Sequence, residues 1–76
     1  MDYEEYAVEV YSKKGNFVWQ VDIFNAYEEA VHFINNNPIE KFAIQGFCSD
    51  TDHYVIRVIE YDEDGIETDT YILEEY

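Results

Sequence analysis

The sequence predicts an α+β fold: a mostly antiparallel β-sheet, in element order β-β-α-β-β-β, with one amphipathic helix packed on one face. Three observations carry this expectation. Apolar and polar residues alternate in several short runs, one stretch alone repeats with the helical period, and the connections are too short for parallel crossovers except through that helix. The 76 residues make a single domain, 1–76, with no linker or low-complexity segment dividing it.

The first strand is read at Tyr6 to Ser12, with Val8 and Val10 on one face and Ala7, Glu9 and Tyr11 on the other. Lys13-Lys14-Gly15-Asn16 supplies a hairpin turn, Gly15 taking the positive φ that such a loop demands. Phe17 to Phe24 resumes the alternation: Phe17, Trp19, Val21 and Ile23 share one side, and Val18, Gln20 and Asp22 the other. Asn25 then reads as an N-cap, with Glu28 completing a capping box and Glu28 and Glu29 placed where the helix dipole favours them. Ala26, Tyr27, Ala30, Val31, Phe33 and Ile34 fall on one arc of that helix. It should stop in Asn35-Asn36-Asn37, because Pro38 disfavours helical geometry in the residue before it.

A third strand is expected at Lys41 to Cys48, Phe42 and Ile44 sharing a face and Gly46 weakening its end, followed by a polar loop, Ser49 to Asp52. Tyr54 to Tyr61 is apolar on both faces, the mark of a strand lying centrally in its sheet. Asp62-Glu63-Asp64-Gly65 turns the chain. The last strand sets Ile66, Thr68, Thr70 and Ile72 on one side against Glu67, Asp69, Tyr71 and Leu73 on the other. One helix covers one face of such a sheet, so Tyr11, Val18, Val55, Ile59, Tyr61, Tyr71 and Leu73 are left on the open face.

Composition narrows the function classes. Eighteen Asp and Glu against four Lys and Arg give a net charge of −14. That sign disfavours direct nucleic-acid binding and anionic membranes, and favours a basic protein surface or a cation. With 47% hydrophobic and 18% aromatic residues, the chain can nonetheless bury a core, which acidic disordered chains cannot. A lone cysteine, Cys48, excludes an internal disulfide, and the acidic start carries no signal-peptide pattern, so a cytoplasmic protein, bacterial or phage-encoded, is expected.

No motif points to catalysis. Cys48, Asp50, Asp52 and His53 are neighbours in sequence, but nothing in their spacing converges them on a metal or pairs thiol with imidazole. Aligning Gly65 with the glycine of a calcium loop puts Glu60, Asp62 and Asp64 at the first ligand positions, yet Tyr71 stands where a bidentate Glu is required. His32 lies on the helix's polar face beside Glu28 and Glu29. Neither enzyme, cofactor nor metal is expected.

The carboxylates of the last hairpin are more suggestive. Glu67 and Asp69, two apart on a strand, would share a side, extended by Asp62, Glu63 and Asp64 at the turn, with Tyr61 and Tyr71 beside them. Asp2, Glu4, Glu5, Glu74 and Glu75 add to this ridge. In size, charge and aromatic content the chain resembles small acidic domains that mimic nucleic acid and occupy the basic groove of a nuclease. The expectation is a noncatalytic protein-binding module whose contact residues are Tyr61, Asp62, Glu63, Asp64, Glu67, Asp69 and Tyr71. The alternative is a structural subunit, such as a homodimer, that buries its open sheet face while its charge serves solubility.

Overall fold

A computed structural model describes residues 3–12 and 17–76 of the chain, and the backbone alone at 17 and 18. The expected turn at Lys13 to Asn16, the side chains of Phe17 and Val18, and Asp2 lie outside the described residues. Two strands, β1 (Tyr3–Ser12) and β2 (Phe17–Phe24), precede the helix α1 (Tyr27–Asn36); a 3-10 segment (Ile39–Gln45) and the strands β3 (Asp52–Tyr61) and β4 (Glu67–Glu75) follow. All pairings are antiparallel, in the order β2-β1-β3-β4. The α+β class and the central place of β3 are as the alternation predicts.

The segment after Pro38 is where the fold departs from the expected strand order. Lys41 to Cys48 does not join the sheet: Ile39–Gln45 winds as two short 3-10 turns across a kink at Phe42 (φ −105°, ψ 25°), leaving four strands among the described residues instead of five. The physical reason is in the flanks and the spacing. Pro38 stands at its N-cap and Gly46, at φ 94°, closes its C-terminus in the left-handed region, its N–H bonded to the Ala43 carbonyl at 2.9 Å. Ile39 and Phe42, three apart, turn to the core, whereas Ile44 is 97% exposed.

The helix begins one residue late for its expected cap. Ala26 is the N-cap, with no side-chain hydrogen bond, so the Asn25–Glu28 capping box does not form. The C-terminus is as expected and better closed. Asn36 and Asn37 each donate a side-chain N–H to the carbonyl four residues back, His32 and Phe33, both at 2.8 Å. The Asn37 carbonyl in turn accepts the Tyr54 hydroxyl at 2.6 Å, tying the helix end to β3.

The core lies between α1, the 3-10 segment and one sheet face. Val8, Val10, Tyr54 and Ile56 supply the sheet side, and Ala30, Ile39 and Phe47 the other. Trp19 seals one end, stacked on Phe47 with ring centroids 5.3 Å apart and edge-on to Phe42. A bulge at Val21 changes which residues of β2 reach this core. Val8 pairs with Asp22 and Glu9 with Gln20, so Phe24 opposes Tyr6 on the core side and Ile23 opposes Ala7 on the open face. Phe24, not Ile23, therefore packs inward, against Phe33.

Candidate functional site: the acidic end of the sheet

The β3–β4 turn is built by one of the predicted contact residues. The Asp62 carboxylate accepts the N–H groups of Asp64 and Ile66 at 2.9 and 3.0 Å, and its backbone bonds to Gly65 and Ile66. Gly65 sits at φ 79°, a conformation that only glycine adopts without strain. Asp62 is thus the structural residue of the turn, and Glu63 and Asp64 are presented on its outside, both exposed.

Register determines what stands beside them. Tyr3 pairs with Tyr61, so the start of β1 lies against the turn and brings Glu4 and Glu5 to the same end of the molecule. On one face Tyr61 stacks on Tyr3, ring centroids 4.8 Å apart. A hydrogen bond to Glu5, then partial burial, holds the Tyr61 hydroxyl above its ordinary pKa.

A second bulge, at Thr68, sorts the acids of β4. Glu67 pairs with Tyr61 and Asp69 with Glu60, which puts Glu67 and Asp69 on opposite faces instead of the shared side that simple alternation predicts. Tyr71 follows Asp69: it opposes Val58, itself opposite Tyr6, on the face that carries the helix. The predicted contact residues therefore do not form a single ridge. Tyr61 and Glu67 lie on the open face, Asp69 and Tyr71 on the helix side, and the turn joins them around the end of the hairpin.

One row was not visible in the sequence. Glu4 pairs with Glu60, and Glu60 with Asp69, so three carboxylates stand directly opposite one another across β1, β3 and β4. Residues so placed are about 5 Å apart, and like charges there destabilise the sheet. No Lys or Arg among the described residues lies on that row or in the turn. Arg57, the nearest along β3, is on the opposite face and is taken by Glu9, Nε to Oε1 at 3.0 Å. Only the strand register reveals this row, because its members are far apart in sequence. Tyr71 close by is held above its ordinary pKa by burial first and then by the charge of Glu60.

The open face differs from the exposed apolar patch expected of it. Its centre is closed by the chain itself: Ala7 and Val55 are 0% and 2% exposed, and the Arg57–Glu9 pair lies on the same face, Arg57 also reaching the Thr70 hydroxyl. Tyr11 leans on the His53 ring at 5.5 Å. Ile72, opposite Arg57, and Ile23, opposite Ala7, remain exposed on this face, whereas Leu73, expected there, is the unpaired residue of a bulge between Ile72 and Glu74.

At the other end, Cys48 and His53 have separate partners. The Cys48 sulfur is 3.6 Å from the Thr51 hydroxyl, while His53 Nε2 is 3.4 Å from a Glu75 carboxylate oxygen. Asp52 is buried and structural, accepting the Cys48 N–H at 2.8 Å and the Thr51 hydroxyl at 3.2 Å. His32 is exposed and meets Asn36 one turn on. Among the described residues no group of three or more His, Cys, Asp or Glu is arranged to hold a metal ion. Nor is any helix among them long and apolar enough to cross a membrane. Comparison of the chain with protein-family models, with curated proteins and with solved structures returns no match.

Proposed function

We propose that this chain is a noncatalytic binding module whose acidic end enters a basic, nucleic-acid-binding cleft of a partner protein and blocks it. The observation that carries the reading is the row Glu4, Glu60 and Asp69, on which no Lys or Arg among the described residues lies. A fold that sets like charges directly opposite one another gives up stability, and a basic partner restores it. The acids and tyrosines on both faces of a hairpin one sheet thick favour a cleft over a flat surface. Tyr3 and Tyr61 on one side and Tyr71 on the other are rigid anchors of the kind that contribute most at interfaces. The remaining acids act at a distance, steering the encounter in a salt-dependent way. A cytoplasmic nuclease opposed by a phage-encoded inhibitor is the biological setting that fits this chemistry.

The test is capture of basic proteins from a bacterial lysate by the immobilised chain, with duplex DNA as competitor. The reading expects nucleic-acid-binding proteins that DNA displaces and that a Glu63→Lys, Asp64→Lys, Glu67→Lys variant fails to retain. Capture that DNA does not displace, or that the reversal leaves intact, contradicts it.

A further inference from the structure

The sheet has two edges, β2 and β4, and an exposed edge is a template on which another chain can add a strand. Both edges carry apolar surface on which a strand can pair, β4 beside its own Glu67, Asp69, Glu74 and Glu75. β2 reads Phe-Val-Trp-Gln-Val-Asp-Ile-Phe, with one charge in eight residues. β4 exposes Tyr71, Ile72 and Leu73 in succession, at 41%, 46% and 43%. Net charge repels copies only weakly at physiological salt, where the screening length is about 8 Å. A local device is needed, and the same one occurs twice.

In β2 the register slips at Val21, and the next residue, Asp22, accepts the N–H of Ile23 on its carboxylate at 2.8 Å. In β4 the register slips at Thr68, and the next residue, Asp69, accepts the N–H of Thr70 at 2.9 Å. The sequence of events is identical: bulge, aspartate, capped amide.

The capped amide of β4 faces outward. Amides along an antiparallel strand alternate between the partner strand and the outer side. The Tyr76 N–H bonds the Tyr54 carbonyl and so faces β3. Counting back, with the bulge at Leu73 giving β3 two successive amides, the N–H groups of Tyr71 and Asp69 also face β3 and that of Thr70 faces away. Asp69 therefore occupies a donor that an incoming strand would need. The matching bulge in β2 puts Ile23 in the same situation.

We propose that Asp22 and Asp69 are edge guards, each closing the first outward amide after a bulge and so keeping a second copy of this chain from extending the sheet. This role rests on the two capped amides and not on the acidic end's binding, although Asp69 belongs to both. It explains the aspartate after two of the three bulges, at Val21 and Thr68; after the third, at Leu73, Glu74 instead accepts the hydroxyls of Tyr27 and Tyr76.

The experiment compares wild type with Asp22→Ala/Asp69→Ala and with Asp22→Asn/Asp69→Asn, which loses the same charges but keeps a side-chain oxygen that accepts the amide. Light scattering across a concentration series in about 0.5 M salt, where net charge is screened, reads self-association. Amide exchange reads Ile23 and Thr70 directly. Wild type and the asparagine variant should stay monomeric. The alanine variant should associate at a concentration at least about tenfold lower, with exchange at both amides about tenfold faster. A monomeric alanine variant overturns the proposal, as does an asparagine variant that associates equally readily. Should the alanine variant fail to fold, wild-type Ile23 and Thr70 amides decide: exchange at free-peptide rates refutes the caps, and protection supports them.

Discussion

Glu74 of β4 holds both α1 and Tyr76 through one carboxylate. It accepts the hydroxyl of Tyr27 from α1 and, at 2.5 Å, that of Tyr76 just past β4. Those bonds, Tyr27 first and Tyr76 second, lower its pKa in the folded chain. A carboxylate depressed in this way contributes stability that is present above its unfolded pKa and is lost as pH falls through the folded one. Thermal melts of wild type and Glu74→Gln should therefore differ most near neutral pH and converge as pH falls below about 4; a constant gap would remove the linkage. Gly65 is the other residue with a decisive local role. Its substitution by alanine meets no crowding, the nearest atom being the Tyr3 hydroxyl at 3.8 Å, so the cost is backbone strain alone, about 1 to 2 kcal/mol in a urea titration. Asp62 and Gly65 were both legible as turn residues from the Asp-Glu-Asp-Gly run. The work of Asp62 in holding the turn was not, since an exposed acid and a turn-capping acid look alike in sequence.

At the scale of elements, the helix end and the central strand were legible because each rests on a local signal: three asparagines before Pro38, and apolar residues on both faces of Tyr54 to Tyr61. The 3-10 segment was misread because Phe42 and Ile44 alternate as in a strand, while the more telling Pro38 and Gly46 flank it as helix caps. The bulges at Val21 and Thr68 were invisible for a different reason. Alternation continues through a bulge in the sequence, and only the partner strand shows that the faces have exchanged. This is why Ile23 and Phe24 swapped sides and why Glu67 and Asp69 parted. The element-scale prediction concerns the Arg57–Glu9 pair across β1 and β3, whose side chains are 28% and 11% exposed. Arg57→Met leaves Glu9 without its partner and should cost about 2 to 3 kcal/mol. The double change with Glu9→Leu should recover most of that, because a removed pair leaves no unpaired charge. Equal losses in the single and double variants would contradict this account of the open face.

For the whole molecule, eight of the eighteen acids gather at one end of the sheet. Strand register collects Glu4, Glu5, Glu60, Glu67 and Asp69 around the turn that carries Asp62, Glu63 and Asp64, while the described cations lie elsewhere, Arg57 paired on the open face and Lys41 bonded to Asn37. The sequence showed that the chain was acidic and that its last hairpin was the most acidic part. It could not show the row of Glu4, Glu60 and Asp69, because that row exists only once three strands are in register. Such a row makes stability and binding pull in opposite directions. Glu60→Lys turns two repulsive cross-strand pairs into attractive ones, and should stabilise the free chain by about 1 kcal/mol, raising its melting temperature by about 4 to 8 °C. The most direct test of the central claim is DNA-displaceable capture of basic proteins by this variant beside wild type, each confirmed folded by its melt. The variant should melt higher and capture far less; capture equal to wild type by the more stable variant would show that the row does not bind the partner.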